Sequence, residues 1–177
     1  MMEKIKTYER FPGWVVLVST VLSLLIYGIG VFIVSKLSLF LMILFIGYCI
    51  WLEFKVIRKS CVSCYYYGKV CGFGKGVLCS LLFKKGDPKA FVEKEVSWME
   101  MLPDFMVFII PVIAGIRVLI REFNWIILIL MSVLLALSFA GNAVVRGQIA
   151  CKYCKQRELG CPAEKLFNKE KHKKTEV

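Results

Sequence analysis

Two stretches of this chain, residues 14–34 and 125–145, contain no charged side chain. At 1.5 Å per residue each is long enough to cross a ~30 Å hydrocarbon core as a helix. Only helices and closed barrels carry a backbone through lipid, and unbroken apolarity rather than alternation selects the helix. Residues 37–52 are also uncharged and run on through Glu53 and Lys55. Residues 102–120 are apolar apart from Asp104 and Arg117 near their ends. The pattern predicts an all-α integral membrane protein with four spanning helices, at about residues 12–34, 37–57, 102–120 and 124–146. A cleavable leader competes for the first run, because Lys4, Lys6 and Arg10 precede it. Its length, the lack of a small-x-small site close behind it and the early start of the second run favour a retained helix.

The chain is 58% hydrophobic yet carries a formal charge of +11, so charge and apolarity are segregated. Three cations precede the first helix, nine lie between Lys55 and Lys94, and nine more between Arg146 and Lys174. Only Lys36, Arg117 and Arg121 fall on the other side. The positive-inside rule therefore places both termini and the central loop in the cytoplasm of a multi-pass protein of the cell membrane. Trp14, Trp51 and Trp98 sit at inner helix ends and Trp125 at an outer end, the levels that amphipathic rings prefer.

The outer connections, 35–38 and 121–124, are short enough to make each helix pair an antiparallel hairpin. A CxxCx6C run follows each pair: Cys61, Cys64 and Cys71, then Cys151, Cys154 and Cys161 ninety residues later, with Cys79 extending the first cluster alone. Trp14 precedes Cys61 by 47 residues, as Asp104 precedes Cys151. The chain reads as one unit written twice. Residues 1–100 form the first repeat with its Cys-rich loop at 58–98, and residues 101–177 the second with its tail at 147–177. Such halves would be related by a pseudo-twofold axis along the membrane normal.

The helices exclude several functions. Their middles offer Ser19, Thr20, Ser23, Tyr27, Ser132 and Ser138, with nothing that titrates near neutrality to hold an ion. Glu53, Asp104 and Asn142 fall near inner helix ends, where solvated or capping roles are expected. Haem is excluded because the one histidine, His172, lies in a lysine-rich tail. Any electron path through the bilayer would need a partner or a lipid-soluble carrier.

Clustered cysteines in a reducing compartment more often bind metal or do redox chemistry than form bridges. Two CxxC pairs at equivalent positions, each followed by a third cysteine at equal spacing, make Cys61, Cys64, Cys71, Cys79, Cys151, Cys154 and Cys161 the expected ligands. One arrangement gives a four-thiolate site in the first half and a three-thiolate site in the second. Another pairs Cys61 and Cys64 with Cys151 and Cys154 across the repeat. Cys161 followed by Pro162, glycines 72, 74 and 76 that let amides approach sulfur, and the shielding run Tyr65–Tyr66–Tyr67 favour an iron–sulfur cluster. The CxxC pairs and the absence of compact CxxCxxC spacing favour Zn²⁺. Cys49, inside the second helix, reads as a small buried residue or as a spare ligand.

Residues 77–83 are apolar, precede Lys84 and Lys85, and suit a segment lying along the interface. Gly86, Asp87 and Pro88 mark a turn, and residues 91–99 an amphipathic lead-in to the third helix. GFGKG at 72–76 does not match a phosphate loop, and positive-inside bias accounts for the basic charge without nucleic acid. These readings predict a non-catalytic or electron-transfer subunit, in lipid, working with a protein partner or a second copy. A structural zinc scaffold is the alternative and a thiol–disulfide oxidoreductase the third reading.

Overall fold

A computed structural model describes residues 7–93 and 97–162. Lys4, Lys6, Lys94, the Trp98 side chain and the tail from residue 163, His172 included, lie outside the described residues.

Four helices are long and apolar enough to cross a membrane, and the sequence placed all four. Helix α1 is Gly13–Ser35. Helix α2 is Leu39–Val56 and continues in wider π-type turns over Ile57–Cys61. Two short helices follow, α3 at Lys75–Leu82 and α4 at Pro88–Glu93. Helix α5 is Trp98–Arg121, and α6 is Trp125–Ala136, widening into π turns over Leu137–Gly141 and Ala143–Cys151. A last helix, α7, is Gln156–Gly160.

The starts of α2, α5 and α6 are fixed by side-chain caps. Ser38 Oγ accepts from Phe40 N–H, Ser97 Oγ from Met99 N–H and Asn124 Oδ1 from Ile126 N–H, each satisfying a donor that the first turn leaves unpaired. Both terminal π stretches end on the first cysteine of a CxxC pair, Cys61 and Cys151. Such widened turns recur at functional sites.

Helix α1 is central and packs against α2, α5 and α6, while α5 also packs on α6. The core between them holds Ile26, Ile33, Phe45, Leu52, Val107, Ile127 and Leu134. Close approach depends on small residues: a Cβ on Gly30 would stand 3.0 Å from both Phe45 and Pro111, and one on Gly115 would collide with Met131. Only 17–28% of each span is buried within the chain. Leu17, Leu24, Phe40, Leu44, Ile113, Ile120, Ile126 and Ile129 all face outward, which suits contact with lipid.

Candidate thiol head and the polar cavity above it

The two CxxC motifs fold into the same pair of turns. Cys64 N–H donates to Cys61 O at 3.3 Å and Tyr67 N–H to Cys64 O at 3.0 Å. In the second motif, Cys154 N–H donates to Cys151 O at 3.2 Å and Arg157 N–H to Cys154 O at 3.0 Å. These turns aim main-chain donors at the second sulfur of each motif. The N–H groups of Tyr66 and Tyr65 face the Cys64 thiol, and that of Gln156 faces Cys154. Such N–H groups favour the thiolate form that a metal ligand requires.

The motifs dock on each other reciprocally. Tyr65 N–H donates to Gln156 Oε1 at 2.8 Å, and Lys155 N–H donates to Tyr66 Oη at 3.0 Å. In each direction the residue after the second cysteine donates to the side chain two places beyond the opposite second cysteine. Tyr66 is 2% exposed, and its hydroxyl donates to Tyr8 O at 2.5 Å. The segment before α1 joins both motifs: Tyr8 N–H bonds Tyr153 O and Phe11 N–H bonds Val70 O, both at 3.0 Å. Phe11, Val15 and Tyr66 form a small apolar core beneath, with Cys64, Cys71 and Cys154 packed against it. Lys69 and Lys155 lie over the Tyr65 ring at 4.2 and 5.4 Å.

All eight cysteines lie among the described residues, and none is paired as a disulfide. The seven clustered thiols form a chain of electrostatic neighbours. Cys61 is within reach of Cys64, Cys71 and Cys79; Cys64 also reaches Cys71 and Cys161; Cys154 reaches Cys64, Cys151 and Cys161. Burial, with these neighbouring thiols adding to it, pushes Cys154 up to about 12 and raises Cys64 and Cys79 above the ordinary thiol value. Among the described residues no three Cys, His, Asp or Glu side chains are arranged to hold one ion. The thiols are a neighbourhood rather than a formed coordination sphere.

Cys49 belongs to the transmembrane core. It stands twelve residues, about 18 Å of helix, from Cys61. The glycines bring backbones close together. Gly74, at φ 70°, turns the chain into α3, Gly76 lets α3 sit directly on the carbonyls of Tyr66 and Lys69, and a Cβ on Gly72 would meet Ala150 at 3.0 Å. Helix α3 thereby presents Cys79 inward, fully buried, and Val77, Leu78, Leu81 and Leu82 outward.

A second polar group was not foreseen. Glu53, expected to be solvated, is part-buried: its carboxylate accepts from Tyr27 Oη at 2.6 Å and pairs with Lys75 Nζ at 2.5 Å. These residues line a cavity of about 610 Å³ between α1, α2, α3 and the inner end of α6. Tyr8, Phe11 and Gln156 were also missed, since no local motif marks them and their partners lie far away in sequence.

Compared with known protein families, curated proteins and solved structures, the chain matches none.

Proposed function

We propose that this chain is an integral protein of the cell membrane, built from one repeated hairpin-plus-CxxC unit, whose two thiol loops form a single cytoplasmic head for a thiolate-bound metal centre. In this reading the head serves an electron-transfer or redox-accessory role beside a protein partner. The observation that carries it is the meeting of the two CxxC turns, with main-chain N–H groups aimed at sulfur and seven thiols linked neighbour to neighbour. The donor set is soft, which selects thiophilic ions such as zinc or iron in a cluster. Cys61, Cys64, Cys71 and Cys79 would hold one centre; Cys151, Cys154 and Cys161 would form a second, three-sulfur set. Uptake must draw the sulfurs inward and displace their protons. Iron–sulfur is placed ahead of zinc because Tyr65 and Tyr66 screen the sulfurs from water and Cys161 carries the following proline.

A structural zinc scaffold is the second reading, favoured by the reciprocal Tyr65–Gln156 and Lys155–Tyr66 bonds, which already tie the loops together as a staple would. The raised thiols of Cys64, Cys79 and Cys154 disfavour thiol–disulfide exchange there, whose nucleophile is the thiolate. Anaerobic purification with metal analysis and EPR is the test. Brown protein absorbing near ~400 nm and losing iron in Cys61→Ser and Cys151→Ser supports the first reading. Colourless protein with stoichiometric zinc supports the second. Metal-free protein, or full metal content in both variants, ends both.

A further inference from the structure

The cavity above the thiol head has the form of a site for an amphiphile, and its chemistry differs along its length. Its outward part is walled by Leu24, Ile50, Phe54, Leu78 and Leu82. Its inner end carries Lys75 and Arg146 against one lining carboxylate, Glu53, with Asp104 of α5 also within electrostatic reach of both cations. Lys75 is neutralised by Glu53. Arg146 has no carboxylate salt-bridge partner among the described residues and stands 5.4 Å from the Phe73 ring centroid. Arg146 lies five residues before Cys151 and Glu53 eight before Cys61. The charges are thus about 8–12 Å of helix from the thiol head, at the depth of a lipid headgroup.

Hydroxyls fill the zone between charge and hydrocarbon. Ser19 lines the cavity, is 4% exposed, and its Oγ has no hydrogen-bond partner. A buried hydroxyl so placed is costly unless something accepts from it. Ser23 Oγ is turned back onto Ser19 O, and Tyr27 is engaged by Glu53. Ser19 Oγ, buried in the cavity wall, is therefore left for a ligand that brings its own acceptor to the boundary between headgroup and acyl chain, with the exposed Thr20 lining the cavity beside it.

We propose that this cavity holds an anionic phospholipid, its phosphate on Arg146, an ester carbonyl on Ser19 Oγ and an acyl chain along Leu24, Ile50 and Phe54. Basic pockets between spanning helices select acidic headgroups in this way, at about 1 kcal/mol per cation near the surface. Because Lys75 faces both Glu53 and Cys61, the bound lipid also borders the thiol head.

The test is thermal unfolding of the detergent-purified full chain, with native mass spectrometry of retained lipid. Phosphatidylglycerol should raise the unfolding temperature saturably, and phosphatidylcholine should not. Arg146→Gln should weaken the phosphatidylglycerol effect about fivefold, the equivalent of one cation. Ser23→Leu fills the cavity without touching a charge and should abolish the effect, while metal content, measured in parallel, stays that of the parent. Equal stabilisation by both lipids, stabilisation by inorganic phosphate or a quinone analogue in place of phosphatidylglycerol, or an undiminished effect in both variants would overturn the proposal.

Discussion

The first and second thiol loops share a backbone turn but differ in what stands behind it. Around Cys61 and Cys64 the chain adds a glycine-rich bend and α3, which delivers the buried Cys79 and encloses the sulfurs on the membrane side. Around Cys151 and Cys154, among the described residues, it adds the short α7, and Cys151 is exposed there. The residues exchanged across the contact differ as well. The first loop offers a buried phenol whose two hydrogen bonds reach Tyr8 and Lys155, the second a buried glutamine amide that accepts from Tyr65 and donates within its own loop to Gly160 O. Sequence symmetry in the motif has thus been kept for the turn and relaxed for its support. Among the described residues the first loop is the more enclosed half and the second the more open one.

The largest expected effect separates the halves by metal. Cys61→Ser, which breaks the enclosed set of four, should remove the larger share of bound metal, and Cys151→Ser the smaller; equal losses would mean that one shared site spans both loops. Next comes Tyr66→Ala, which truncates a buried aromatic and orphans Tyr8 O and Lys155 N–H. It should cost about 3–5 kcal/mol in unfolding measured in detergent. Gln156→Ala removes the acceptor of Tyr65 N–H and the donor to Gly160 O and should cost about 1–3 kcal/mol. If the two variants proved equally destabilising, the second loop would be supported as firmly as the first.

The spans were legible because lipid imposes a one-dimensional rule: length without charge. Helix ends matched to within a few residues, with Ser38 and Asn124 capping where short outer loops were read. The thiol clusters were legible as spacing. That the two clusters meet was legible from the paired repeat, but the contacts that dock them were not, because these run through Tyr66, Gln156 and Tyr8, residues 58 to 91 positions apart in the pairs they form. Nothing local marks such partners. Glu53 was misread for a related reason: two residues from Lys55 at a helix end it looks solvated, and only the fold brings Lys75 from α3 and Tyr27 from α1 onto it.

Alkaline pH gives a smaller effect that spans the two halves. Burial raises the thiols of Cys64 and Cys79 in the first loop, and that of Cys154 in the second to about 12, above an ordinary value of 9.0. A thiol whose folded value is raised holds its proton in the native state after the unfolded chain has released it. Its contribution to stability is complete below pH 9 and is lost as pH climbs from there toward about 12. The metal-free head should therefore loosen above pH 9, seen as faster amide exchange at Tyr65 and Lys155, while metal-loaded protein, its sulfurs already deprotonated, should not show this dependence. Identical alkaline profiles with and without metal would show that the thiols are not the linked groups.

The smallest effect is expected at the rim. Lys155 Nζ pairs with Glu9 Oε1 at 2.9 Å, and the pairing holds the Glu9 carboxyl below its usual value and the Lys155 ammonium above its own. The Glu9 side chain is 75% exposed, so water and salt screen the attraction, and ordering two long side chains offsets most of what remains. What fixes Lys155 is its backbone N–H on Tyr66, not its ammonium. Glu9→Gln should thus leave the unfolding temperature and metal content unchanged at 0.15 M salt. A clear loss in that variant would move the support of the open loop from the buried phenol to the surface charges, and with it the distinction between the two halves.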